Sequence, residues 1–583
     1  RDVVYVATEA NTIYAIDADT SAIINHKNFG TPVSQSKLPH SPDNPAGQCT
    51  NGADHVGINS TPVIDLTAGT MYFVAYSLEH NNPTYHIHAI DLRTLADRDF
   101  SPKEVVATHT LRNGQKYNFD PSVSRQRPGL VLSQGNIYVG FGSFCDFAWT
   151  HTRGWLLGWK AKSLEPLTST LPTSETTQLN NKLVNDPPHD YYLSSIWMSG
   201  SGIAADSDGN LFFVTGNSER GNNVFSESNL EESVVKVPSD LSTVVDWFMS
   251  PNAFDLNKHD RDFGSGGVLL LPDQPGARKH LGIALGKDGD MYLFDRDKMG
   301  HFPGQFFGKN PAAAGICFCA ESYFIGSDGI GRIVSSGGDK VIVWKLAISD
   351  DTVSLVKESE TAQLVNNDKG FFTSISSSGT ADGSAIIWAV TRPNDALKPN
   401  VTLYAFDAKN ISTPLYKSVA GTWPNISKPA NSNIVPTIVN GKVYVASFQA
   451  LNIFGSRGHA VLESVSNQPD LFETNATVAL DSFGNGAPLA ENQPTAATNT
   501  HVISGWIESM NGSELVVKTK KSALIPTGIL KVDATLANKG YYQKGDEVGD
   551  SIVATGTIDS NGVMQAASIV HGQILEELWA PDK

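Results

Sequence analysis

Between Asn257 and Gly267 the sequence reads NKHDRDFGSGG, so that His259, Asp260, Arg261 and Asp262 stand side by side and run into glycines. Two adjacent carboxylates can take a proton from a substrate or chelate a hard cation, and neighbouring cations can steady developing charge. The same residues also make an ordinary solvated turn with its own ion pair. What separates the two readings is whether other parts of the chain bring matching chemistry to the same place. Other patterns are thinner. His86 and His88 in YHIHAID share one strand face, as two metal ligands would, but no third partner shows at a suitable spacing; His80, His151 and His189 read as loop residues. GSDGIG (Gly326 to Gly331) lacks the Lys-Ser/Thr and following helix of a phosphate loop, and no G-x-S-x-G nucleophile elbow occurs.

Composition narrows the class of function. A net charge of −17 argues against a nucleic-acid partner, because phosphate binding needs a basic face. No apolar run approaches the roughly 20 residues of a bilayer span, so none is expected. With 51 glycines and 30 prolines in 583 residues, the chain reads as turn-rich and mostly β. The cysteines are Cys49, Cys145, Cys317 and Cys319, with no CxxC and no CxxCH, so neither a zinc knuckle nor a c-type haem is expected. Cys317 and Cys319 alternate at strand spacing, and a bridge such as Cys49 to Cys145 is open to an oxidising compartment.

The elements that must position any site repeat along the chain. The unit is a strand, a turn, a strand ending in a small-residue pair, another ending in Asp, then a last strand. STPVIDLTAGTMYFVAYS, GIAADSDGNLFFVTGN and HLGIALGKDGDMYLFDRDKMG belong to copies of it, joined by hairpin turns such as DGN and NGK. Copies open near Asp2, Ser60, Gly129, Gly200, Gly266, Glu321, Ser374 and Asn433. This spacing predicts an all-β, eight-bladed β-propeller over residues 1–456. The first copy lacks its opening strand and the eighth a convincing last one, which predicts a missing N-terminal segment that closes the ring. Residues 457–498 read as linker, 499–573 as a small OB- or SH3-like barrel, and 574–583 as a tail.

Strands closing on A-x-D (Ala15 to Asp17, Ala89 to Asp91, Ala405 to Asp407) resemble the pyrroloquinoline-quinone repeat of quinoprotein alcohol dehydrogenases. QRPGLVL, GWLLGWKAKSL and FGSGGVLLLPDQPG are similar to segments of secreted "pyrroloquinoline quinone-like" proteins of mostly unassigned activity. The resemblance implies a site residue by residue. Asp260 matches the dehydrogenases' catalytic aspartate and Asp262 the extra aspartate of lanthanide-type members, with His259 where the family has Trp. Asn217, in VTGNSERGNN, matches the amide ligand, although the family's following Pro and Trp are absent. Trp197 stands near the place of the Trp that stacks under the quinone. Lys287, in GKDGDMYLFDRDKMG, matches the quinone-contacting Lys. Asp146, before Arg153-Gly154-Trp155, matches the remaining carboxylate ligand with a few residues inserted. Asp146, Asn217, Asp260 and Asp262 offer only oxygen, as calcium or a lanthanide requires.

Each residue also has a plainer reading: a loop ion pair for Asp260, Arg261 and Asp262, a left-handed turn for Asn217, blade packing for Trp197, an exposed hairpin for Lys287, an incidental place for Asp146. The resemblance implies an oxidoreductase acting on an alcohol or sugar hydroxyl with pyrroloquinoline quinone and a calcium-like ion. Its substrate would be a small hydroxylated molecule or carbohydrate, with a separate electron acceptor because no haem motif is present. The alternative is a non-catalytic secreted propeller that binds or scaffolds at a surface or matrix, with self-association through the barrel. Either reading places the chain outside the cytoplasm, secreted or periplasmic.

Overall fold

The computed structural model describes residues 2–40, 49, 54–147, 152–175, 193–218, 227–311, 320–336, 338–349, 352–364, 370–391, 400–423, 433–455, 473–479, 500–519, 525–535 and 551–571. The chain divides into two units, Arg1–Asn394 with Pro399–Phe483, and Gly484–Lys583 with Asp395–Lys398. Cys317 and Cys319 lie outside the described residues.

The first unit is a succession of antiparallel sheets, most of them four-stranded and each formed by strands consecutive in sequence. Their second strands, such as Leu211–Val214 and Leu281–Leu285, are buried along their whole length. A sheet covered on both faces demands that, so these strands read as continuous apolar runs. The turns follow from side chains that imitate a backbone. Asp17 Oδ1 accepts the amides of Asp19 and Thr20, and Asp91 Oδ1 accepts those of Arg93 and Thr94. This is why the repeat keeps Asp at the end of its third strand.

Leading strands of neighbouring sheets lie against one another, as Val63–Asp65, Val131–Ser133, Ala204–Ala205 and Val268–Leu270 do. The succession closes on itself. Tyr14 and Ile16 of the first sheet share a core cluster with Tyr444, Leu451 and Ile453 of the last. Across the same seam Lys442 donates to Ala18 O at 2.5 Å and to Asp19 Oδ1 at 2.7 Å. The unit is a β-propeller.

The first and third sheets differ from a uniform four-stranded repeat, and the last completes it beyond the expected boundary. The last sheet has its outer strand, Glu473–Ala479, paired antiparallel with Ala450–Gly455. That strand falls inside residues 457–498, expected to be linker, so the linker assignment is corrected there. The first sheet has three strands among the described residues: Val3–Ala7, Thr12–Asp17 and Ile23–Asn28. In the third sheet the opening strand comes in two pieces, Ser124–Gln126 and Val131–Ser133, both paired with Asn136–Ser143. Pro128, with no N–H to give, interrupts the ladder, and Arg127 leaves the sheet at the break.

In the second unit, five strands close by hydrogen bonding in the order Thr500–Asn511, Glu514–Thr519, Ile529–Asp533, Val563–His571, Ser551–Ile558. Ile507, Leu515, Val517, Leu530 and Met564 form its core. No helix among the described residues is long and apolar enough to cross a membrane.

Candidate functional site

The second strands of the third, fourth and fifth sheets, Asn136–Ser143, Leu211–Val214 and Leu281–Leu285, occupy equivalent places in the repeat. Asp146, Asn217 and Lys287 follow their ends by two or three residues. Repetition therefore delivers three distant residues to one side of the propeller. The fourth contribution is the connection from the fourth sheet to the fifth. There the short helix Ala253–His259 stops at Asp260, whose φ of 55° is left-handed, and the chain turns through Asp262. Aspartate tolerates that conformation better than most side chains.

Carboxylate oxygens of Asp146, Asp260 and Asp262 lie within 4.8 Å of one another. Asp262, buried, accepts the Asn217 backbone N–H at Oδ1 (3.0 Å) and Lys287 Nζ at Oδ2 (2.9 Å). Asp260, exposed, accepts Asn217 Nδ2 at 3.1 Å and Lys287 Nζ at 3.2 Å. Asp146, also with a left-handed φ of 53°, is held by Ser143, whose Oγ bonds its carboxylate and accepts its N–H at 3.0 Å. Donation to Asp260 fixes which end of the Asn217 amide is nitrogen. Its Oδ1 is buried, with no hydrogen-bond partner among the described residues.

The electrostatics follow from burial and crowding. Burial first, then Asp262 and Asp260, push the Asp146 carboxyl up to about 7. Lys287 is raised above its ordinary value: burial opposes its charge, but Asp262 and Asp260 outweigh burial. Three carboxylates against one ammonium leave two negative charges when all are ionised, the complement of a divalent ion.

Trp197 touches the same loops. A Cβ built on Gly216 would stand 2.8 Å from Trp197 Nε1 and 3.0 Å from Asp262 Oδ1, so only glycine allows this approach. The Arg127 guanidinium lies over the Trp197 ring, 5.0 Å from its centre, with Nη2 at 3.4 Å from Ser199 Oγ.

Thus Asp146, Asn217, Asp260, Asp262 and Lys287 converge, with Trp197 beside them. Asn217 does not take the left-handed turn conformation, and Lys287 is largely buried rather than exposed. His259 turns back onto its own helix, toward Asp255. Several supporting residues carry no sequence signal. Asn257 clamps the loop by accepting the Ser218 N–H at 3.1 Å and donating to Glu231 at 2.9 Å. Glu232, fully buried, accepts the Phe263 N–H at 2.6 Å, and burial followed by Asp262 raises its carboxyl well above the usual range. Arg127 is legible only as the residue before a proline.

No protein-family model and no curated protein matches the chain. Among solved structures it is similar to β-propeller proteins. One is the dihydro-heme d1 dehydrogenase NirN in complex with DHE, at 11% identity and TM-score 0.41, covering 78% of this chain and 70% of that one. Another is Kluyveromyces lactis Hsv2, at 8% identity and TM-score 0.34, covering 73% and 99%. A functionally unknown protein from Desulfotomaculum acetoxidans gives 11% and 0.35, covering 77% and 99%. Likeness at this level says nothing of activity.

Proposed function

We propose that the chain is an eight-bladed propeller of the pyrroloquinoline-quinone-repeat type, followed by a small OB- or SH3-like barrel. In this reading it oxidises an alcohol or sugar hydroxyl, with a calcium-like ion held by Asp146, Asn217, Asp260 and Asp262. The observation that supports the ion is Asn217 Oδ1, a buried acceptor with no partner among the described residues, beside three carboxylates. Leaving such an atom unsatisfied costs about 1–3 kcal/mol, which a hard cation would recover. When bound, the quinone would supply the carbonyl that accepts hydride from the substrate carbon. Asp260, the most accessible carboxylate, takes the hydroxyl proton, and Lys287 sets positive charge beside the quinone oxygens. The Cys49–Cys145 disulfide supports a secreted or periplasmic location.

The fit to a quinone is less complete than the fit to an ion. One face of Trp197 already carries Arg127, so a stacked ring must use the other face or displace the guanidinium. That contact favours the second reading, a binding or scaffold propeller that fills its slot with its own side chains.

A titration of metal-stripped protein with pyrroloquinoline quinone and calcium, then with a lanthanide, separates the two. The enzyme reading expects saturable quinone absorbance changes that vanish in Trp197→Ala and Lys287→Ala. Failure of wild type and Arg127→Ala alike to bind quinone with either ion supports the scaffold.

A further inference from the structure

The acidic cluster makes no use of His86 and His88. Both lie on the strand Asn82–Asp91 of the second sheet, on one face, with ring centres 6.4 Å apart. Both line a cavity of about 290 Å³, to which Lys27 and Phe29 of the first sheet also contribute. His88 Nδ1 stands 2.8 Å from Asp97 Oδ1, which also accepts the Ser101 hydroxyl at 2.8 Å. His86 Nδ1 stands 3.5 Å from Glu79 Oε1. A carboxylate only accepts, so His88 Nδ1 carries the hydrogen toward Asp97 and the Nε2 of the neutral ring keeps the lone pair, while Glu79 stands beside His86 Nδ1 at ion-pair distance. Burial holds His88 below the ordinary imidazole range, against the pull of Asp97. Its ring is further fixed by stacking on Phe73 at 4.8 Å.

Two imidazoles on one strand face, each with a carboxylate behind Nδ1, reproduce the outer-sphere arrangement that orients histidine toward a metal. We propose that His86 and His88 bind, through Nε2, a borderline divalent ion of the zinc, copper or nickel class, with Glu79 and Asp97 orienting the rings. This ligand chemistry differs from the all-oxygen cluster, which suits harder ions. The ring separation closes by rotation of His86, the less buried of the two, until both nitrogens reach about 2.0–2.1 Å from the ion. Water in the cavity completes the coordination. Lys27 Nζ, 3.3 Å from Asp97 Oδ2, opposes a second positive charge and sets the affinity.

The test titrates the metal-stripped full chain with zinc by calorimetry and with copper by electron paramagnetic resonance. Wild type is compared with His86→Ala, Glu79→Gln and Lys27→Met. The proposal expects a copper spectrum showing two coordinated nitrogens and zinc binding that excess calcium does not displace. His86→Ala loses roughly a hundredfold in zinc affinity and Glu79→Gln about tenfold, while Lys27→Met gains. Glu79 is half-exposed, so its substitution reports on binding even if His86→Ala folds poorly. Zinc affinity equal in wild type, His86→Ala and Glu79→Gln would overturn the proposal, as would a copper spectrum of oxygen ligands alone.

Discussion

Asp146 is the residue whose behaviour depends most on what surrounds it. Its carboxyl titrates near 7 in the folded chain, against about 3.9 in an unfolded one. The native state therefore holds the proton more tightly, so this group favours folding below about pH 4, and the contribution is lost as pH rises through 7. A bound cation reverses the balance by requiring the ionised form. Calcium affinity is accordingly expected to rise by up to about tenfold per pH unit below 7 and to level off above it, read by calorimetry across that window. Gly216→Ala tests a different contact: its Cβ meets Trp197 and Asp262 together, and both a lower melting temperature and weaker cation binding are expected. At this scale the sequence was informative where chemistry and order coincided, as with Asp260, Asp262 and Lys287. It was silent on Glu232 and Arg127, because a buried Glu at a strand start and an Arg before Pro look like any others.

The site's elements are short connections whose geometry is fixed by the sheets on either side. The loop bearing Asp146 has an additional tie, the Cys49–Cys145 disulfide across a sequence separation of 96. Closing a loop of that size stabilises the fold by about 4.7 kcal/mol on the chain-entropy estimate. Cys49→Ser is expected to lower the melting temperature and, by freeing the Asp146 loop, to weaken cation binding as well. Unchanged binding in a destabilised variant would separate the tie from the site. Sheet strands were legible because burial on both faces makes them continuous apolar runs. Glu473–Ala479 was not, because the outer strand of the last sheet reads ETNATVA, whose Thr and Ala match the turn-rich sequence around it. Pairing with Ala450–Gly455, not intrinsic pattern, makes it a strand.

For the propeller as a whole, stability rests on the seam where the last sheet meets the first, since closure is what leaves no long bare edge. Ile453, buried in that seam, is expected to cost about 2–5 kcal/mol when replaced by alanine, read from denaturant unfolding. The repeat announced the propeller from the sequence alone, because its period survives even where individual residues diverge. What a period cannot convey is which mouth residues are still in use, and here the buried Asn217 amide oxygen is the telling atom. The most direct test is a terbium luminescence titration of the metal-stripped chain, with calcium as competitor, in wild type and Asp260→Asn. Asparagine keeps the shape and tolerates the left-handed turn at that position. A cation site expects saturable terbium binding displaced by calcium and weakened at least about tenfold in the variant. No terbium binding, or binding that Asp260→Asn leaves unchanged, would contradict it.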